Sequence, residues 1–256
     1  MRQGRGFEPD WRDDGAYAGL AEAGRPAFAW EWLRRDPCYR RAAAAALGAL
    51  AGRSSTTGPC RFGLVTFEPA GLAAPLARPL WCRSSHPYVL SCRRTKAGLP
   101  GDLFNPGAVS RLARLVTCNG ADHLLLSDGY RSVRLDAPAG TFASGPVALA
   151  YDIAGLASAA PPLLTLRRFV ALGVHSDFAA SLHPQERRAR RWILELRAFD
   201  ALQAGASQRD IARYLIGAAA GAPRWRTTDP SLRSAAQRLV RAARRMAAGG
   251  YRDLLR

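Results

Sequence analysis

The spacing of hydrophobic positions falls into helical, strand-like and again helical stretches along the chain. Residues 8–46 crowd Trp11, Tyr17, Phe28, Trp30, Trp32 and Tyr39 together, and the alanine run Ala42–Ala46 extends a helix expected to stop near Gly48 or Gly52. Arg53–Pro59 reads as a linker or exposed loop. Then the runs shorten. Phe62–Phe67, Tyr88–Cys92, His123–Leu126, Ser132–Leu135 and Val147–Tyr151 are rich in leucine, β-branched and aromatic residues, with Gly, Pro, Asn and Asp between them. The connection Ser127-Asp128-Gly129-Tyr130-Arg131 predicts a hairpin between two of these runs, and one helix is expected among the strands around Pro106–Val116. Beyond Pro161, Leu163, Leu166, Phe169, Val170 and Leu172 mark an amphipathic helix. Pro184 is expected to open another, through Trp192, Ile193, Leu196, Phe199 and Leu202, that ends at Gly205.

These elements predict an α+β protein. It has a small helical, aromatic-rich domain over residues 1–52, a mostly antiparallel sheet within 60–160, and a helical module over 161–256. Trp30 and Trp32 lie about 200° apart on a helix, so one is expected in the core and the other on a surface that anchors a second copy.

The last module has the layout of a helix-turn-helix. Ser207 and Asp210 have capping-box spacing, with Asp in place of the usual Glu or Gln. Ile211, Ala212 and Leu215 form the apolar face, and the small Ala212 lets two helices cross closely; Gln208, Arg209 and Arg213 are left outward. Asp229 can cap the next helix and Pro230 fits its first position. Counting about 100° per residue from Arg233 places Gln237, Arg241, Arg244 and Arg245 within about 120°. Ala235, Leu239, Ala243 and Met246 fall between about 200° and 280°, nearly opposite. The helix is expected to end at Gly249-Gly250, with Tyr251, Leu254 and Leu255 folding back as an apolar clasp. A simple helix-turn-helix joins its helices by three or four residues, whereas Gly217–Thr228 is twelve. This loop, with Arg224-Trp225-Arg226, is either a wing or phosphate clamp or an ordinary loop pinned by one buried Trp.

Charge gives that layout a partner. The chain of 256 residues carries 37 basic and 20 acidic residues, a net +17, which favours polyanions. From His183 to the end there are 16 arginines against 6 acids, and no acid stands between Leu232 and Gly250. Solvated helix faces normally mix signs. The expected partner is double-stranded DNA. Arg233, Gln237, Arg241, Arg244 and Arg245 would face a groove, and Gln208, Arg209, Arg213, Arg224 and Arg226 would contact phosphates. A homo-oligomer is expected, with RNA polymerase or another regulator as a candidate protein partner. The competing reading is a co-regulator or anti-activator whose Trp-rich N-terminus binds another regulator, with the basic surface only assisting.

Other chemistry is sparse. Acids are scattered, and Gly4-Arg-Gly6 lacks the strand and third glycine of a phosphate loop, so neither an enzyme nor a cofactor is expected. Cys82, His86 and Cys92 lack the spacing and the fourth ligand of a structural zinc site. His175 and His183, beside Asp177, read as helix-entry polar residues. Five irregularly spaced cysteines read as free thiols in a reducing cytosol. No stretch of 18 apolar residues and no signal-like N-terminus is present, so a cytoplasmic, nucleoid-associated protein without a membrane span is expected.

Several segments resemble the DNA-binding domain of the RovC-like family of proteobacterial transcription regulators. They are Gly145-Pro-Val-Ala-Leu-Ala-Tyr-Asp152, Leu166-Arg-Arg-Phe169, His183-Pro-Gln-Glu-Arg-Arg188, Gly205-Ala-Ser207, Arg209-Asp-Ile-Ala212, Arg238-Leu-Val240 and Gly249-Gly-Tyr-Arg-Asp-Leu-Leu255. Asp10-Trp-Arg-Asp13 with Tyr17, Trp30-Glu-Trp-Leu-Arg-Arg-Asp-Pro37 and Tyr39-Arg40 are similar to the small regulator-like domain often placed ahead of it. The resemblance covers both ends of the chain and implies a sequence-specific transcription regulator.

Overall fold

The structure, a computed structural model, describes residues 9–48, 58–96, 98–143, 145–217 and 230–256. Contacts divide the chain into two compact units, one of Met1–Arg41 with Gln185–Leu254, the other of Ala42–Pro184 with Leu255–Arg256. The architecture is α+β, with helices towards both chain ends and a six-stranded sheet between them.

The sheet unit comprises β1 (Leu90–Thr95), β2 (Leu103–Phe104), β3 (Ala113–Cys118), β4 (Ala121–Ser127), β5 (Ser132–Pro138) and β6 (Val147–Asp152). Their order is β2-β6-β1-β5-β4-β3; β1 and β5 are parallel and every other pair is antiparallel. Alternation along the strands sends Leu124, Leu126, Val133, Leu135 and Ala137 to one face, where they pack with Phe169 and Leu172 of a long helix, Ala160–His175. The opposite face is partly polar. Arg134, across from Leu125 in the register, donates to the Trp81 carbonyl and to Asp136 at 2.9 Å, and His123 Nδ1 lies 2.8 Å from Asp136.

The predicted 127–131 hairpin is present between β4 and β5. Two other expectations fail. Phe62–Phe67 is not a strand: Pro59–Phe62 forms a 3-10 turn that Gly63 ends in the left-handed region at φ 78°, and a lone bridge joins Leu64 to Trp81. Pro106–Val116 is not a helix either. Its first residues, Pro106–Val109, form a 3-10 turn, capped where Asn105 accepts from the Gly107 amide at 3.0 Å. The rest enters β3 because Asn119 and Gly120, at φ 52° and 75°, close a two-residue hairpin onto β4.

In the other unit, the helices before residue 48 are α1 (Gly15–Ala18), α2 (Arg25–Leu33) and α3 (Pro37–Gly48), the last crossing the unit boundary; the sheet unit's long helix is α4. Next come α5 (Ala189–Gln203), α6 (Gln208–Ile211, continued as a π-turn over Ala212–Ile216) and α7 (Pro230–Ala247). Trp30 and Trp32 are both buried, at 0% and 2% exposure, so neither is left over to anchor a second copy. Each has its own aromatic neighbour: Trp30 meets Tyr39 at 5.6 Å between ring centres, and Trp32 meets Phe199 of α5 at 5.6 Å. Phe28 meets Trp192 at 5.1 Å. Helix α5 begins at Ala189 rather than Pro184, because residues ahead of it bind the N-terminal segment: Gln185 donates to Glu22 at 2.7 Å and Arg25 pairs with Glu186 at 2.8 Å. It ends as expected at Gly205 (φ 78°), where the Ala206 amide reaches back to the Ala201 carbonyl at 2.9 Å.

Candidate nucleic-acid interface

The candidate surface is built on α6, its π-turn and α7, held from behind by α5. Ser207 caps α6: its hydroxyl accepts from the Asp210 amide at 3.2 Å, and Asp210 accepts from the Ser207 amide at 2.9 Å. The capping box therefore works with Asp in the third position. The Ser207 hydroxyl and amide bonds hold the Asp210 carboxyl below the usual range, so it stays ionised at the helix N-terminus. Ile211 and Ala212 are buried, while Gln208, Arg209 and Arg213 are exposed. Ala212 meets Ala236 of α7, with Ile216 and Leu232 packed around the pair. Two methyl-bearing residues at the crossing let the helix backbones approach closely. The Gly217 amide then bonds the Ala212 carbonyl at 3.0 Å, five residues back, which closes the π-turn.

Helix α7 is sharply two-sided. Ala236, Leu239, Val240, Ala242, Ala243 and Met246 are buried. Arg233, Arg241, Arg244 and Arg245 are exposed, and Gln237 is half-buried between them. Ala235, expected on the apolar face, is only half-buried. Arg238, absent from the groove-facing residues expected above, also belongs to the exposed face and adjoins Arg245 around the axis. Among the described residues, none of these five arginines has an ion-pair partner. The stripe from Arg233 to Arg245 runs about 18 Å along the axis, on a cylinder of the diameter a major groove admits. Past α7, Gly249 takes φ 108°, and Tyr251, Leu254 and Leu255 are buried. Arg224, Trp225, Arg226 and the capping Asp229 lie outside the described residues, as do Gly4–Gly6 and most of the 53–59 linker.

The other candidate groups have structural surroundings. His86 Nδ1 lies 2.8 Å from the Leu255 carbonyl, and burial lowers its pKa to about 4. Cys92 is in the sheet core, its thiol 3.7 Å from the Asp136 carbonyl, and burial pushes it up to about 12. His183 packs edge-on to Phe178, and burial, followed by Arg168 and Arg131, lowers it to about 4, so it is neutral near pH 7. His175 is exposed. No helix among the described residues is long and apolar enough to cross a membrane.

Two protein families match this chain. Residues 162–256 match the RovC DNA-binding family, described as a T6SS transcription factor DNA-binding domain, and cover α6, its π-turn and α7. Residues 10–62 match the proteobacterial transcriptional regulator-like domain, covering the helices that bury Trp30 and Trp32. No curated protein matches the chain. These two matches assign a RovC-type DNA-binding domain to residues 162–256, behind a transcriptional regulator-like domain at residues 10–62.

Proposed function

We propose that the protein is a sequence-specific transcriptional regulator that reads double-stranded DNA through a helix-turn-helix-like pair formed by α6 and α7. The observation that carries this reading is the row of exposed arginines on α7, without ion-pair partners among the described residues, opposite a largely buried apolar face. A guanidinium forks onto guanine or phosphate oxygens, and its release of condensed counterions drives association. In this reading Arg233, Gln237, Arg241, Arg244 and Arg245 face the groove, joined by Arg238 at its edge. Gln208, Arg209 and Arg213 hold phosphates from the start of α6, as do Arg224 and Arg226 from the loop between the helices. The protein acts in the cytoplasm as a homo-oligomer on repeated half-sites, through a surface other than Trp30 or Trp32, since both are buried.

The test is salt-dependent binding of the full chain to genomic and random DNA fragments. Arg241→Ala with Arg244→Ala should weaken binding while leaving the fold intact. Each lost phosphate contact should flatten the log–log salt slope by about 0.9, whereas a lost base contact should relax sequence preference. Unchanged affinity and slope would remove α7 from the interface.

A further inference from the structure

Helix α4 is apolar on two opposite sides. Counting about 100° per residue from Leu163, Thr165, Phe169 and Leu172 fall near 180–240°, and these three are buried. Leu163, Val170 and Val174 fall within about 40° of each other on the far side. These are 46%, 52% and 72% exposed. A helix of a water-facing protein normally keeps such a stripe covered. Alongside it the turn Ala180–Leu182 stands off, leaving a groove of about 500 Å³ floored by Leu166, Val170, Ala171 and Leu182. Arg168 donates from Nε to the Leu182 carbonyl at 2.9 Å, which fixes the groove's far wall. Arg167 and His175 line the groove, and among the described residues no carboxylate does.

We propose that this groove docks an amphipathic helix of another protein, whose apolar stripe is flanked by carboxylates. The spacing of Leu163, Val170 and Val174 suits helix-in-groove recognition, and the Arg167 guanidinium in the lining asks for acids beside the incoming stripe. Charge also argues against a second copy. Helix α4 carries no acid from Ala160 to His175, so pairing it with itself would bring the Arg167 side chains of two copies together with no carboxylate on either helix to offset them. Among the described residues no other helix combines an exposed apolar stripe with flanking acids; the acids of α5, Glu195 and Asp200, are buried. The groove and the arginine stripe are built on different helices, and the proposal stands whether or not α7 reads DNA.

The probe is a fluorescent synthetic helix of about four turns, with leucines at alternating three- and four-residue spacing and glutamates beside them, paired with a twin carrying lysine for glutamate. By anisotropy the full chain should bind the glutamate helix at least about tenfold tighter than the lysine twin. Val170→Asp with Val174→Asp, both at exposed sites, should weaken it by a similar factor with an unchanged melting curve, and Arg167→Glu should weaken it through charge alone. The arginine stripe attracts any acidic peptide, so Arg241→Ala with Arg244→Ala serves as the control and should retain tight binding. Equal binding of the two peptides, wild-type affinity in the Val170/Val174 variant, or loss of binding in the control would each overturn the proposal. So would sedimentation showing that the Val170/Val174 variant turns an oligomer into a monomer, which would make a second copy the occupant.

Discussion

Arg35 sits between two carboxylates, taking Glu31 at 2.6 Å and Asp200 through two parallel bonds at 2.7 and 2.8 Å. Arg34 adds a 2.8 Å bond to Glu31, and the Tyr17 hydroxyl donates to Asp200 at 2.6 Å. All these side chains are buried or nearly so, where an unmatched charge costs far more than a matched pair gains. Burial works against the ionised Glu31, but Arg35 and then Arg34 outweigh it and hold its pKa below the usual carboxylate value. Burial, with Asp200 beside it, pushes the Tyr17 hydroxyl far up, so it remains a donor at any ordinary pH. Glu31→Gln should therefore destabilise this unit by roughly 3–5 kcal/mol at neutral pH, because two buried guanidiniums lose their shared anion. Acid should act in the same direction. The unfolded chain binds the Glu31 proton more readily than the folded one, so this stabilisation is complete above the ordinary glutamate value and drains away as pH falls through the lowered one. Urea melts of both proteins between about pH 7 and pH 3 check it. The variant should start lower and fall less steeply, and parallel acid limbs would place the pH sensitivity in other groups.

The crossing of α6 and α7 depends on a residue that touches no ligand. Ala212 is 0% exposed against Ala236, so Ala212→Leu has no space to enter without pushing α7 away. Overpacking of this kind costs about 1–3 kcal/mol, and DNA affinity should fall although every arginine remains. A variant with wild-type melting and wild-type affinity would show that the helices do not depend on that contact. The crossing was legible in the sequence because Ala212 stands between Ile211 and Leu215 in a capped helix, and α7 was legible because its arginines and aliphatics separate cleanly around the axis. The sheet was harder to read. Leu112 to Cys118 alternates only weakly, and the decisive signal was the pair Asn119-Gly120, whose positive φ angles make a hairpin rather than a helix. Gly129 in the next hairpin shows a second local constraint. It takes φ 97°, and a Cβ there would lie 1.9 Å from the Pro75 carbonyl oxygen. Gly129→Ala should lower stability by more than the roughly 1 kcal/mol of the backbone term alone, read as a lower urea midpoint. An unchanged midpoint would mean that the segment around Pro75 yields freely.

At the scale of the whole molecule, the arginine stripe belongs to a unit made from both ends of the chain. Helix α5, which supports α7, buries Trp192 against Phe28, sets the half-buried Phe199 against Trp32, and sends Asp200 and Arg197 into the N-terminal segment. Arg197 donates to the Trp11 carbonyl at 2.9 Å and pairs with Asp14. None of these pairings could be read from local periodicity. Partners more than 160 residues apart leave no trace in the spacing of either segment, so Arg197 and Asp200 read as ordinary polar positions of an amphipathic helix. The aromatic cluster at residues 11–39 was visible, but its other half on α5 was not, which is why one tryptophan was expected at the surface. The same pairings give the N-terminal segment a role in DNA binding without any contact to DNA. A chain lacking residues 1–41 keeps every arginine of α7, yet it exposes Trp192 and Phe199 and leaves Asp200 and Arg197 without Arg35, Tyr17 and Asp14. Losing several buried aromatic contacts, each worth about 3–5 kcal/mol on truncation, exceeds the whole stability of a typical domain. The truncated protein should lose its near-UV circular dichroism and its cooperative melting in this unit, and its DNA affinity should drop to the weak, sequence-blind level of a loose basic polymer. If it instead melted cooperatively and kept the wild-type salt slope and sequence preference, the C-terminal helices would form the interface alone, and the buried ionic network would serve only the N-terminal segment itself.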